Sequence, residues 1–395
     1  MTACPDQVVV VDPGNYTPYY DANLCDALVK HGWEVHWVTS PHLFERVGAP
    51  RDVRITNAFF GAATAFGRRF GRHAFVRRAL KAASYPAGLR SLDRFLASKA
   101  AGVLHIQWAL LPPLDAAMWR RWRSRGWTIV YTAHDVAGLP GTTPQALIRS
   151  QRQLFRVADA VVAHSDHDLS TIIALGAPAS RVIRTPQGTP GLFARPLLDQ
   201  TTARAELHIP PDRPTILFFG FLKPYKGLEM LLSSLTRVRE RIPDVLLLVA
   251  GQSLTDANRL NRSIANLGLS DHVRWDRGYV PASQVGTYFG AADVVTLPYL
   301  AASSSAVLLN AASHARPVVA TAVGGLPEMV RDGTTGRLVP PGDSRAIADA
   351  LVELLQNRER ARAMGENARQ YALANHNWAC IGKMTSEAYK NAMRR

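Results

Sequence analysis

The sequence has few cysteines, and no metal-ligand spacing joins them. Cys4, Cys25 and Cys380 are an odd, widely spaced set, which argues against a disulfide scaffold and is typical of a reducing compartment. The chain also lacks any uncharged apolar run near the ~18–20 residues that cross a bilayer. No basic leader with an apolar signal region precedes the first predicted strand, residues 7–11, so no secretory signal is predicted. We therefore expect a cytoplasmic protein.

Positive charge, in contrast, is abundant. The formal net charge of the 395 residues is +15, and residues 66–94 hold eight Lys/Arg against the single acid Asp93. Such a run forms a solvated face in many proteins. The alternative is attraction to an anionic lipid surface or to a diphosphate-bearing acceptor, which would place the protein at the inner face of the cell membrane. Nucleic acid is disfavoured, because no recognised binding motif accompanies the charge.

Short β-branched runs alternate with helix-like segments such as residues 23–31, 227–241 and 282–291, which is typical of parallel sheets covered by helices on both faces. The predicted strands are residues 8–11, 34–39, 102–106, 128–132 and 160–164, then 215–220, 245–251, 273–279, 294–297 and 317–321. A Pro-rich bridge, residues 186–214, separates the two series. Because the hydrophobic fraction is 47%, we predict two doubly wound α/β domains, each with a core. Their ligands should bind at the carboxyl ends of the strands.

Two segments carry the chemistry. In residues 218–227 a strand ends at Gly220, a loop with Lys223 and Lys226 follows, and a helix begins after Gly227. Lysines at the end of a strand can neutralise a diphosphate, although the same loop could be an ordinary exposed turn. In residues 298–307 three serines precede a helix, where they either cap it or leave its N–H groups facing an anion.

Four ordered stretches, residues 164–188, 218–232, 297–330 and 332–343, give the chain a resemblance to glycosyltransferase family 4. The match is strong from about Asp159 onward and looser before it, where it rests on the loop near Gly14 and on residues 131–136. The resemblance implies a retaining enzyme of GT-B fold, with two Rossmann-like domains facing a central cleft. Residues 1–190 would be the acceptor-side domain and residues 191–375 the nucleotide-sugar domain, with a C-terminal helix in 376–395 packing back on the first.

The resemblance also implies roles for individual residues. The donor-phosphate lysine matches Lys226, and the histidine near the transferred sugar matches His134. The N-terminal loop that approaches donor and acceptor matches Gly14 and Asn15. The donor-binding positions are Gly220, Lys223, Lys226, Gly278, Tyr279, Val280, Ser304, Ser305, Ala306, Val307 and Asn310.

Within these motifs the chain departs from the family pattern at Phe221, Ala302 and Asn310. Phe221 stands where an arginine usually follows the strand-ending glycine, so Lys223 would have to supply that charge. The paired glutamates of the family are replaced by Ala302 and Asn310, which leaves no carboxylate nucleophile in this motif. Asn310 would bond ribose hydroxyls without ionic assistance, and such bonds are about half as strong.

We predict transfer of a sugar from UDP- or GDP-sugar to a hydroxyl of a glycan or lipid-linked acceptor, as in polysaccharide biosynthesis. The resemblance implies no metal and no cofactor beyond the nucleotide-sugar co-substrate. Two alternatives stay open: a natural-product glycosyltransferase with a soluble acceptor, and a catalytically inactive GT-B protein that binds nucleotide. The tryptophans among residues 108–127 are interpreted mainly as core, with acceptor stacking as the second interpretation.

Overall fold

The computed structural model describes residues 6–42, 45, 47–48, 50–70, 74–136, 145–190, 198–254 and 257–395. The chain forms two compact units. The first contains the described residues up to 136, residues 145–188 and the C-terminal residues 378–395, and the second contains the described part of residues 189–377. Both units are parallel sheets flanked by helices, so the prediction of two doubly wound α/β domains is confirmed. No helix within the described residues is both long and apolar enough to cross a bilayer.

The first unit is built on a seven-stranded sheet. Its strands are β1 Gln7–Asp12, β2 Glu34–Thr39, β3 Val53–Asn57, β4 Val103–Ile106, β5 Thr128–Thr132, β6 Ala160–Ala163 and β7 Val182–Arg184. Its helices include α1 Pro18–Lys30, α2 Gly61–Phe70, α3 Ala74–Ala97, α4 Pro112–Arg123, α5 Gln145–Val157 and α6 Asp166–Ala174. The strand order is β3-β2-β1-β4-β5-β6-β7, with every pair parallel. The central strands are buried on both faces, which is why they consist of continuous β-branched residues.

The second unit is built on a six-stranded sheet. Its strands are β8 Thr215–Phe219, β9 Leu246–Gly251, β10 Val273–Arg277, β11 Val294–Leu297, β12 Val318–Thr321 and β13 Gly336–Val339. Its helices include α7 Gln200–Glu206, α8 Leu228–Arg241, α9 Ala257–Asn266, α10 Ala282–Ala291, α11 Ala306–Ser313, α12 Leu326–Met329, α13 Ser344–Gln356 and α14 Arg358–Asn375. The strand order is β10-β9-β8-β11-β12-β13. Its two faces carry separate apolar clusters, which are centred on α8 with α13 and on α10 with α11.

The final helix, α15 Trp378–Met393, belongs to the first unit. It packs on α1 and also contacts β5 and β6. The Trp33 indole donates to the Ser386 hydroxyl at 2.8 Å, and Tyr389 is fully buried. The C-terminal helix α15 therefore completes the core of the first unit.

Three strands were not predicted from the sequence, namely β3, β7 and β13. Each of them is the last strand at an edge of its sheet. Their side chains are only partly buried and include several arginines, because an edge strand has one neighbour and less apolar cover. The apolar, β-branched pattern that marks a central strand is therefore weak in them.

Each sheet reverses its strand order at one point, and this point positions the candidate site. In the first unit β1 lies between β2 and β4, and in the second β8 lies between β9 and β11. In each unit the two loops that follow these strands, those after β1 and β4 in the first and those after β8 and β11 in the second, leave the sheet in opposite directions and open that unit's own crevice at the carboxyl ends of its strands. Ligands of doubly wound folds bind at such a crevice.

Candidate functional site

In the second unit, the turn after β8 is shaped by two glycines. Gly220 has a φ of +99° and Gly227 a φ of +71°, a region that residues with a Cβ rarely adopt. A Cβ on Gly227 would stand 1.9 Å from the Pro298 carbonyl oxygen. The backbones of the β8 and β11 loops therefore touch here, and Leu300 N–H donates to the Tyr225 carbonyl at 2.7 Å. The two loops that flank the crevice are held together.

Lys226 lies in this turn and is 9% exposed. Its Nζ stands 3.0 Å from where a Cβ on Gly220 would be and 5.5 Å from the centre of the Tyr299 ring. Burial, with a smaller contribution from Lys223, lowers the pKa of the Lys226 ammonium to about 8. Among the described residues no carboxylate forms an ion pair with it. A buried ammonium without a counter-ion favours an incoming anion.

The loop after β11 adds backbone donors to the same place. Ser305 precedes α11, but its side chain does not cap the helix and lies next to the buried Tyr299 phenol. Within the described residues the N–H groups of Ala306 and Val307 have no acceptor. Val307 also approaches the Gly220 position, at 3.9 Å. The structure thus groups Gly220, Lys226, Ser305 and the first turn of α11.

Asn310 has a local partner. Its side-chain nitrogen donates to the Ala306 carbonyl at 2.9 Å, one turn earlier on α11. One side-chain N–H and the side-chain oxygen are left for a ligand. An asparagine used in this way is a weaker partner for a ribose hydroxyl than a carboxylate would be.

Three further predicted donor positions lie in a different loop. Gly278, Tyr279 and Val280 follow β10, which is an edge strand separated from β8 by β9. Gly278 has a φ of +113° and open space around its Cβ position, so this loop can approach a ligand group some distance from the lysine. Lys223 is half-buried, with its Nζ 5.6 Å from the centre of the Tyr225 ring.

In the first unit, the buried carboxylate of Asp12 organises the loop after β1. It accepts backbone N–H bonds from Gly14 at 3.0 Å, Tyr16 at 2.6 Å and Thr17 at 3.1 Å. Asn15 has a φ of +52° and donates its side-chain nitrogen to the Ser40 carbonyl at 2.7 Å. Its side-chain oxygen is buried and has no hydrogen-bond partner within the described residues. Gly14 and Asn15 therefore belong to a well-ordered loop at the crevice.

His134 follows β5, close to the loop that follows β4. The Trp108 ring stacks on it with centroids 5.0 Å apart and planes 14° apart, and Tyr20 meets it edge-on at 5.2 Å. Its Nε2 lies 2.9 Å from the Gln107 side-chain oxygen. Burial lowers the pKa of His134 well below the ordinary value, and His164 and His105 lower it further. The imidazole is therefore neutral at physiological pH and can donate from one nitrogen and accept at the other.

Sequence reasoning missed several members of these two groups. Tyr299 was not singled out, although it follows Pro298 directly in the serine-rich motif. Trp119, Trp122 and Trp127 are core residues, at 1 to 3% exposure, whereas Trp108 is only partly buried. Nothing in the sequence pointed to Gln107 except its position immediately after a predicted strand. The Gly324–Gly325 turn is structural, since a Cβ on Gly324 would meet the Ala302 carbonyl oxygen.

Two family models match the chain. The model described as "Glycosyl transferases group 1" matches residues 199–371, and the one described as "Glycosyl transferase 4-like domain" matches residues 19–188. Together they include both candidate loops of the second unit and His134 of the first.

Curated relatives and solved structures agree with these matches. The chain is 33% identical over 288 residues to the D-inositol 3-phosphate glycosyltransferase of Nocardia farcinica, covering 69% of this chain and 62% of that protein. It is 32% identical over 243 residues to a GDP-mannose-dependent alpha-(1-6)-phosphatidylinositol monomannoside mannosyltransferase of Mycolicibacterium smegmatis, covering 60% and 63%. The matched region thus spans about three fifths of each relative. Sucrose-phosphate synthase of Thermosynechococcus elongatus has the same fold, with a TM-score of 0.80 at 22% identity over 98% and 99% of the chains.

Proposed function

Since the chain belongs to the glycosyl transferases group 1 family, with a GT-B fold, we propose that it transfers a sugar from a nucleoside-diphosphate sugar to a hydroxyl. The bond between the anomeric carbon and the β-phosphate oxygen breaks, and the acceptor oxygen forms a new bond to that carbon. The nucleoside diphosphate leaves, and its phosphate oxygen takes the acceptor proton. By family resemblance, attack occurs on the face that the nucleotide leaves, so the anomeric configuration is retained.

The observation that carries the proposal is the uncompensated ammonium of Lys226. It lies beside Gly220, where no side chain separates it from the crevice, and next to the unpaired N–H groups of α11. Charge that develops on a leaving diphosphate is stabilised by such preorganised donors more strongly than by water, because they need no reorganisation. Lys223 adds a second positive charge in the same loop. This charge would substitute for the arginine that the family usually has at the position of Phe221.

The first unit supplies the groups for the transferred sugar and the acceptor. We assign His134 to the transferred sugar, since it is neutral and therefore does not repel the positive charge that develops on the sugar ring. The relatives named above use inositol phosphate and a phosphatidylinositol mannoside. A polar acceptor with an anionic or lipid-linked group is accordingly the acceptor class that we propose, with UDP or GDP as the nucleotide.

Binding and turnover with Lys226→Met test this function. Titration calorimetry with UDP and GDP should show weaker binding to the variant. Release of nucleotide from UDP-glucose and GDP-mannose, measured with and without acceptor, should be slower. Removing one such contact typically lowers turnover by ~10²–10³. Lys30→Met is the matched control, because Lys30 is exposed and its one ion pair within the described part of the chain is with Asp26 on its own helix. Equal affinity and turnover in wild type and Lys226→Met would exclude the proposed site.

A second candidate function is nucleotide binding without transfer. It is favoured by Ala302 and Asn310, which leave the α11 motif without a carboxylate, and by the local bond that uses one N–H of the Asn310 side chain. Tight UDP or GDP binding by the wild-type protein, with no nucleotide release from a panel of donor sugars and acceptors, would support this candidate over transfer.

A further inference from the structure

A row of polar side chains crosses the core of the first unit behind His134. His105, Gln107, Thr132 and Tyr389 are each at most 1% exposed. His105 lies on β4 and Gln107 just beyond its end, and residues two apart in a strand share one face. Buried polar groups are retained in a core only when they are hydrogen-bonded. The bonds within this row therefore determine how each side chain is oriented.

Both ring nitrogens of His105 are occupied by hydroxyl groups. Nδ1 lies 2.5 Å from the Tyr389 hydroxyl of α15, and Nε2 lies 2.7 Å from the Thr132 hydroxyl of β5. Burial lowers the pKa of His105 to about 3, so the ring is neutral. The C-terminal helix and β5 thus fix this ring between them.

Gln107 meets the same ring through its side-chain nitrogen, which is 3.3 Å from Nε2 and 3.5 Å from Nδ1. Because the two distances are nearly equal, the amide N–H faces the ring as a whole. The electron-rich ring attracts an N–H group and repels a carbonyl oxygen. His105 therefore selects the nitrogen end of the amide, and the oxygen end must face His134.

We propose that Gln107, oriented by His105, is a positioning residue that holds His134 as the tautomer with a proton on Nε2 and a lone pair on Nδ1. A carbonyl oxygen can only accept, so the His134 nitrogen 2.9 Å away must be the donor. The Trp108 stack and the Tyr20 edge fix the plane of the ring. Nδ1 is then available to accept a hydrogen bond from a hydroxyl of the transferred sugar. Only this last step rests on the proposed function.

The tautomer can be measured without any substrate. Long-range ¹H–¹⁵N correlation spectra of protein labelled with ¹⁵N-histidine report which ring nitrogen carries the proton, and His134→Gln identifies the His134 signals. In the wild type we expect a protonated Nε2, an unprotonated Nδ1 and a neutral ring at physiological pH, since Tyr20 and His164 pack against His134 and desolvation lowers its pKa well below the ordinary value. A protonated Nδ1 in the wild type would overturn the proposal.

Two substitutions at Gln107 separate hydrogen bonding from space filling. Gln107→Met removes the acceptor, and both His134 tautomers should then be populated, with averaged ¹⁵N shifts. Gln107→Glu keeps an acceptor, so Nε2 should stay protonated while the new carboxylate raises the His134 pKa. Gln370→Met is the matched control, because Gln370 is exposed on α14 and, among the residues that the structure describes, its side chain bonds Glu366 alone. His134 shifts that are unchanged in Gln107→Met, or equal in the Met and Glu variants, would contradict the proposal.

Turnover supplies the second readout. Gln107→Met should lower kcat about tenfold, the equivalent of one lost hydrogen bond, with the KM of the donor unchanged. Mixed tautomers with an unchanged kcat would refute the positioning role. If Gln107→Met does not fold, the pKa of His134 in Gln107→Glu is the test. A raised pKa supports the proposal, and an unchanged pKa overturns it. A wild-type protein without any turnover would instead refute the proposed function, and the spectra would still decide the tautomer.

Discussion

Replacing Lys226 by methionine should make the protein more stable while it loses nucleotide binding. In the folded protein the pKa of Lys226 is lowered from an ordinary value of 10.5 to about 8. Below that pKa the buried ammonium destabilises the folded state, and the cost is relieved as pH rises from about 8 to 10.5, where the unfolded chain binds more protons. At about 1.4 kcal/mol for each pKa unit, the cost near neutral pH has an upper bound of ~3 kcal/mol. Methionine keeps the apolar stem and removes the charge.

Thermal unfolding at pH 7 should therefore show a higher Tm for Lys226→Met, by several degrees, since ~1 kcal/mol corresponds to ~2–4 °C for a domain of this size. The difference between variant and wild type should shrink as the pH approaches 10. UDP or GDP should raise the Tm of the wild type only.

Proton uptake provides an independent assay. At pH 8 the lysine is half-protonated, and a bound diphosphate restores the charged form, so binding should take up about half a proton. Calorimetry in buffers of different ionisation enthalpy measures this number, and residual binding to Lys226→Met should show no uptake. If Lys226→Met had a lower Tm than the wild type, or if both proteins took up equal numbers of protons, Lys226 would not be the buried, destabilising ammonium.

Three further predictions follow from the two units. His134→Ala should lower turnover more than it lowers UDP or GDP affinity or Tm, and activity that falls only in proportion to unfolded protein would mean that His134 is a packing residue. Gly227→Ala should lower Tm more than Gly342→Ala: both glycines have positive φ, which costs alanine ~1–3 kcal/mol, but a Cβ on Gly227 would also stand 1.9 Å from the Pro298 carbonyl oxygen, whereas a Cβ on Gly342 would meet open space; equal losses would exclude the clash. Residues 66–94, where Val76 and Leu80 are exposed on α3, should bind anionic liposomes more weakly as salt rises, because charges are screened beyond ~8–10 Å; salt-independent binding would contradict this.

Parts of these predictions lie beyond what the structure describes. The side chains of several basic residues in residues 66–94, among them Arg68, Arg72 and Arg77, lie outside the described residues. The membrane prediction therefore rests on the charge of the sequence and on the described exposure of Val76 and Leu80. The predicted metal independence and the choice between UDP and GDP stay predictions as well.

Features that depend on the order of neighbouring residues could be predicted from the sequence. Central strands such as β1 and β9 are continuous β-branched or leucine runs, because a parallel strand is buried on both faces. The turn at Gly220–Gly227 was predicted because a strand, a loop with lysines and a helix follow one another within a few residues. Edge strands such as β7 escaped prediction, since an edge imposes little apolar pattern.

Properties that arise between residues distant in sequence could not be predicted and became visible in the folded chain. The low pKa of Lys226 comes from its burial beside Tyr299, which belongs to another loop. The His105–Tyr389 bond joins residues 284 positions apart, and only the folded chain places the Gln107 side chain between His105 and His134. Hydrogen-bond orientation and desolvation depend on what surrounds a group in space, and a local pattern of residue types contains no record of those neighbours.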